Sequence, residues 1–354
     1  MFRKSIKALV ATLLVVTTIV PSRAQTGIEV GVNYTTEFFY GFAENKANWA
    51  NILDVDFSRS LWRGGSVRLN LLSSDNLRAS RGKEPIAPDL EIFSGIEEES
   101  ASLSMFIFGI SQHIGISDVF LGVRNVNEDY FDTPWNSLFT SPSNGLYPCI
   151  SEGYPLADAP RAALCLHSEM RFSPRWLYKS SLYNGVATGD WLKVFNFRPR
   201  KQGILAISEL SYTGREGSYV GSYHLGTVFG DCYDEERGEK VKNDSFWLLV
   251  EQPLYLLSRS GRTLQLLLQG GYSTTGTCRG YFGAGAVWQK LWQEDDYVGL
   301  LAQRTFHKQG DETDWELTYA MRFGAAQVQP ALHLLFGGDK TRAIGVLKVV
   351  MEFD

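Results

Sequence analysis

Strand-length runs in which apolar and polar residues alternate recur along almost the whole chain, separated by clusters of Gly, Asn, Asp and Ser. Successive side chains of a strand point to opposite faces, so a two-residue period gives each run one apolar and one polar face. In residues 313–323, Trp315, Leu317, Tyr319, Met321 and Phe323 oppose Asp314, Glu316, Thr318 and Arg322. Residues 327–336 set Val328, Leu332, Leu334 and Phe336 against Gln327, Gln329 and His333, and residues 346–353 alternate in the same way. A soluble sheet also alternates, but aromatics at strand ends, as at Phe306, Phe323, Phe336 and Phe353, suit girdles at two membrane interfaces. The runs are residues 28–41, 52–58, 66–73, 100–113, 116–125, 163–172, 176–186, 203–213, 218–229, 245–256, 263–273, 280–289, 297–306, 313–323, 327–336 and 343–353. They predict an all-β fold, a transmembrane antiparallel up-and-down β-barrel of about 16 strands.

Residues 1–24 join a basic start (Arg3, Lys4, Lys7) to an apolar run over residues 8–20, a Pro21 break and the small-residue ending Ser22-Arg23-Ala24. That is the pattern of a secretory signal peptide cleaved before Gln25. The apolar run is shorter than the ~20 residues of a spanning helix. Residues 25–354 then form one barrel domain, expected in the bacterial outer membrane with its lipid and the outer-membrane assembly machinery as partners. The whole chain has a formal charge of −5, and the leader's four basic and no acidic residues leave about −9 for the remainder, which excludes the basic footprint of a nucleic-acid binder.

Two connections stand out. Residues 127–161 hold Pro134, Pro142, Pro148, Pro155 and Pro160, too many for a strand. A loop this long in a compact unit is functional as a rule, and it is expected to fold inward and narrow the barrel. Residues 231–243 (DCYDEERGEKVKN) are expected to be a charged outer loop. The four cysteines, Cys149, Cys165, Cys232 and Cys278, are even in number in an exported chain, and proximity pairs Cys149 with Cys165 and Cys232 with Cys278 out of three connectivities. Their spacing does not match a zinc site, and no metal or cofactor is expected.

From residue 85 onward the chain resembles the carbohydrate-selective outer-membrane porins of the OprB type. The resemblance rests on a co-linear set of blocks: DLEIFSGIEE, SLSMFIFGISQHIGISDVFLGVRNVNEDYF, SLFTSPSNGLYP, WLYKSSLYNGVATGD, GILAISELSY, GSYHLG, SFWLLVEQPLY and the alternating last strands. It implies a sixteen-stranded barrel that passes mono- or oligosaccharides by passive diffusion, with the long loop forming an eyelet.

In GILAISELSY the alternation puts Glu209 with Leu205, Ile207 and Ser211. A carboxylate cannot face lipid without cost, so that face is the lumen. Glu251 shares a face with Trp247 and Leu249. Both glutamates fall at positions that the resemblance covers. With Arg124, Arg171, Arg175, Glu316 and Arg322 they are candidate pore-lining groups of opposed charge, and Trp176, Trp247 or Tyr183 would supply an aromatic surface for a pyranose ring. Such a mixture selects sugars by geometry rather than by net charge. The competing reading is that each charge is a solvated or structural ion pair. An outer-membrane barrel with an enzymatic, phospholipase-like role or an adhesive role is the alternative. The sequence carries no catalytic constellation for it: His167 and Ser168 are neighbours on a strand and point to opposite faces.

Overall fold

The computed structural model describes residues 27–78, 86, 101–141, 143, 147–151, 161–214, 220–234, 237–257, 262–337 and 340–353. The expected leader therefore lies outside the described residues, as do parts of the 127–161 loop. Sixteen strands follow one another in chain order: β1 (Ile28–Gly41), β2 (Lys46–Trp62), β3 (Gly65–Asn76), β4 (Ala101–Ile114), β5 (Ser117–Arg124), β6 (Ala163–Ser173), β7 (Trp176–Asn184) and β8 (Gly203–Thr213). The second half comprises β9 (Ser222–Asp234), β10 (Glu239–Leu257), β11 (Arg262–Ser273), β12 (Cys278–Gln289), β13 (Tyr297–His307), β14 (Gly310–Phe323), β15 (Ala326–Gly337) and β16 (Lys340–Phe353). Each pairs antiparallel with its chain neighbours, and β1 pairs with β16 from Val32↔Phe353 to Gly41↔Ile344, which closes the barrel. Among the described residues, no helix is long and apolar enough to cross a membrane.

The alternation read from sequence sorts the side chains as expected. On β14, Trp315 and Leu317 are about half exposed on the outside, while Glu316 and Thr318 are buried inside. On β15, Leu332 and Phe336 face out and Gln329 and His333 face in. The outer wall displays a continuous series of such groups, among them Phe108, Leu121, Leu166, Leu225, Phe229, Phe246, Phe282 and Leu347. Apolar area on that scale is stable only against lipid, and a closed barrel is the one sheet form that satisfies every backbone group there. The wall is therefore that of an outer-membrane barrel.

Turns at the mouth shared by the chain termini are tight. Gly64, Gly115 and Gly324 hold φ of +76°, +65° and +60°, left-handed values open to residues without a Cβ. Two expectations are corrected. Most of residues 231–243 is strand rather than loop: β9 runs to Asp234 and β10 begins at Glu239. Charged residues end a membrane band but not a hydrogen-bonded ladder, so the hairpin continues into water. The four cysteines are buried thiols rather than two disulfides. Cys165 lies sixteen positions after Cys149, yet the inward loop carries Cys149 across to β11, against Gly271, while Cys165 stays on β6.

Candidate functional site

The described residues of the connection between β5 and β6 leave the wall at Arg124 and cross the lumen. Asn125 fixes its root, accepting from the Asn127 amide at 2.8 Å and donating to the Arg161 carbonyl at 2.6 Å, which ties departure to return. Arg124 clamps both carboxylate oxygens of Asp129, and Lys179 of β7 donates to the Asp129 carbonyl at 2.6 Å. The Tyr130 hydroxyl then meets Ser181 at 2.8 Å. Phe131 adopts a left-handed φ of +67° and lays its ring 4.7 Å from that of Trp247.

Beyond Phe131 the loop is pinned to the far wall by groups rising from β10 to β15. Glu251 accepts from Thr133 Oγ1 at 2.5 Å, from the Trp135 amide at 2.8 Å and from the Asn136 amide at 2.9 Å. Gln269 of β11 donates to the Asn136 side chain. Glu316 of β14 accepts from the Thr140 amide at 2.7 Å, the Thr140 hydroxyl at 2.9 Å and the Ser141 amide at 3.1 Å. Gln303 donates to Ser141 Oγ at 2.6 Å, and Gln329 and Tyr297 both donate to the Leu138 carbonyl, at 2.7 and 3.0 Å. A one-turn helix, α1 (Pro148–Ser151), turns the chain back under β10–β12, where Asn243 donates to the Ile150 carbonyl and Tyr147 stacks on Tyr281. Burial pushes the Tyr147 phenol well above its ordinary pKa, so it stays protonated.

The expected inward loop is thus present, but it reassigns the expected lining. Glu251 and Glu316 hold the loop rather than face a solute. Glu209 is buried and bonded to Ser211 and His224, at 2.8 and 3.1 Å. Trp247 and Tyr183 are covered beneath the loop, so neither offers a face to a sugar. Trp176 shares the outward register of Leu182 and packs on Tyr212 at 4.8 Å, so it belongs to the interfacial girdle and not to the pore. Arg171 and Arg175 are exposed beside the β6–β7 turn, and Arg322 pairs with Glu352 at 2.9 Å beside the β14–β15 turn; all three sit at the terminal mouth.

The charged groups that keep water access where the loop begins lie on strands that gave no sequence signal for function. Arg68 of β3 donates to Asp56 of β2 at 2.6 Å and to Glu128 of the loop at 3.4 Å. Asn70 donates to both Asp54 oxygens, at 3.0 and 2.9 Å, and to Asp56 at 3.2 Å. Side-chain exposures of 35% for Arg68, 23% for Asp56 and 24% for Glu128 leave this wall-to-loop cluster open to a solute, unlike the covered anchors opposite. Burial raises the Glu128 carboxyl above its ordinary range against the opposing pull of Arg68 and Arg124. On β16, Lys348 pairs with buried Glu37 at 3.3 Å.

Two other groupings resemble metal or catalytic sites. Asp129, His167 and Glu169 bring ligand atoms within 4.8 Å of one another, but the Arg124 guanidinium already occupies both Asp129 oxygens and would repel a cation. His167 also meets Ser181 at 2.7 Å through Nδ1, the same nitrogen that lies 3.6 Å from Asp129. Glu169 lies 3.4 Å from the opposite nitrogen, Nε2, but His167 and Ser181 are both buried and the Ser181 hydroxyl also meets Tyr130 at 2.8 Å, so no substrate reaches the pair and this is a packed hydrogen-bond cluster.

A sixteen-stranded barrel with an apolar outer wall and a loop strapped across its lumen is the architecture of an outer-membrane porin. The high-pH structure of OprB from Pseudomonas putida superposes with a TM-score of 0.77 at 14% identity, covering 94% of this chain and 96% of that one. An anion-selective porin from Comamonas acidovorans follows at 0.58 and 11% identity (92% and 99% covered), and Pseudomonas aeruginosa OpdK with vanillate at 0.53 and 11% (92% and 98%). Identities this low carry the fold, which agrees with the resemblance read from sequence. No family model and no curated protein matches the chain.

Proposed function

We propose that this protein is a diffusion porin whose permeant solutes are small carbohydrates. The observation that carries the reading is the Asp54–Asp56–Arg68–Glu128 cluster, braced by buried Asn70 and open to water at the root of a loop fixed at more than six points on the opposite wall. Carboxylates and a guanidinium in one plane-rich group accept from and donate to vicinal hydroxyls, while their mutual pairing limits the attraction for simple ions. A rigid loop keeps that geometry without the entropy of ordering it around each solute. Purified protein in a planar bilayer is expected to conduct, and glucose and then maltooligosaccharides are expected to block the ion current in a concentration-dependent way. R68Q is expected to weaken the block at least severalfold while leaving the channel open. A closed barrel without conductance would sink the porin reading, and current indifferent to sugar would sink the carbohydrate reading alone.

A further inference from the structure

The barrel wall is notched at β5. That strand has 8 residues and pairs with β4 only over Ile107–Ile114, so the Ala101–Phe106 half of β4 rises beyond it with a ladder to β3 alone. A membrane-crossing strand takes roughly 9–11 residues. The notch is where the inward loop enters the lumen, and a second connection, residues 185–202 between β7 and β8, covers it from outside. Val123 has the outward register of its partner Phe108 yet is fully buried, packed under Val194. The Phe195 ring sits edge-on to Phe108, at 6.1 Å. Trp191 Nε1 donates to the Leu103 carbonyl at 3.1 Å, supplying a partner to the edge that β5 does not reach.

Phe108 lies midway along β4, so this outer loop descends within the height of the apolar band rather than standing above it. Its far side carries exposed apolar groups, Leu192 at 88% and Phe197 at 62% beside Trp191 and Phe195, with Lys193 among them paired to Asp190 at 3.5 Å. Arg198, Arg200 and Lys201 follow at the start of the one-turn helix α2 (Pro199–Gln202), all exposed. We propose that residues 185–202 form a lipid-embedded gasket: Leu192, Phe195 and Phe197 enter the acyl chains of the leaflet, and Arg198, Arg200 and Lys201 hold the phosphates of anionic lipid at its surface. The apolar side is continuous with Leu103, Phe108 and Leu121, which already face lipid. A second copy of the chain fits less well, because a two-fold contact here would set the basic cluster against itself.

The test uses the full chain in phosphatidylcholine–phosphatidylglycerol vesicles, with a nitroxide at Leu192→Cys; the four native thiols are buried. Power saturation by oxygen and by a neutral nickel chelate is compared with Leu121→Cys on the outer wall and Lys308→Cys in the β13–β14 turn. Leu192 is expected to match Leu121, accessible to oxygen and shielded from nickel. Accessibility like that of Lys308 would put the loop in water and overturn the proposal, and shielding from both reagents would mean a protein cover and overturn it equally. The combined R198Q, R200Q and K201Q variant is expected to bind phosphatidylglycerol on the order of a hundredfold more weakly by native mass spectrometry. Unchanged binding would overturn the headgroup assignment.

Discussion

Glu251 illustrates how one buried carboxylate can serve structure where exposure would make it a binding group. Its Oε1 gathers three donors from residues 133–136, and its Oε2 takes Ser222 at 3.2 Å, so a charge on the lumen wall becomes the main staple of the inward loop. Removing it orphans buried donors, each costing about 1–3 kcal/mol. E251A is therefore expected to free the middle of the loop, with larger and noisier single-channel current and a lower unfolding midpoint in detergent. E251Q keeps an acceptor oxygen and is expected to fall between E251A and wild type. Conductance in E251A equal to wild type would mean that the remaining anchors at Glu316, Gln303 and Gln329 hold the loop unaided.

At the scale of elements, sixteen strands were legible in the sequence because a half-buried strand has to alternate whatever lies inside it. Boundaries were less so: residues 52–58 read as a short strand, but β2 runs from Lys46 to Trp62, since mixed residues such as Asn48 and Arg59 pair through the backbone and need no apolar face. The lining was misread for a related reason. Alternation tells that Glu209, Glu251 and Glu316 face inward, but whether the lumen at that level holds water or a folded loop depends on contacts between residues more than 100 apart. The mid-strand amides Gln269, Gln303 and Gln329, all inward and all bonded to the loop or buried beside it, were the available sign of a covered wall. The closing pair of strands makes a separate prediction. Phe353 opposes Val32 at the last rung of β16 on β1, and we propose that this aromatic at the end of an amphipathic strand is part of what outer-membrane assembly reads. Deleting Phe353 and Asp354 together is expected to reduce the heat-modifiable, membrane-inserted fraction on expression, whereas deleting Asp354 alone leaves it unchanged. Equal insertion of the two truncations would remove Phe353 from that role.

For the whole molecule, the division of the lumen into a covered wall and an open one decides which charges a solute meets. The anchors on β10–β15 are neutralised or shielded by the loop, so the field at the crossing comes from the open cluster, where Asp54, Asp56 and Glu128 face the single guanidinium of Arg68. With all ionised, two negative charges are in excess, and the pore is expected to prefer cations modestly. Glu128 is the member of this cluster that stands on the loop, packed among Arg68, Arg124, Asp129 and Asp54, and burial raises its pKa. An ordinary glutamate, with a pKa near 4.3, stays ionised down to about pH 5. Glu128 takes up its proton at a higher pH, and each proton gained there halves the excess negative charge, so the sign of the effect is a loss of cation preference on acidification. Reversal potentials in a potassium chloride gradient, taken at low ionic strength so that the Debye length exceeds about 10 Å, are expected to move toward zero on acidification, starting at a higher pH than an ordinary glutamate would require. E128Q is expected to start at the lower cation preference and to show a smaller shift on acidification. A step of equal size in E128Q would assign the titration to another group and leave Glu128 as a structural partner of Arg68.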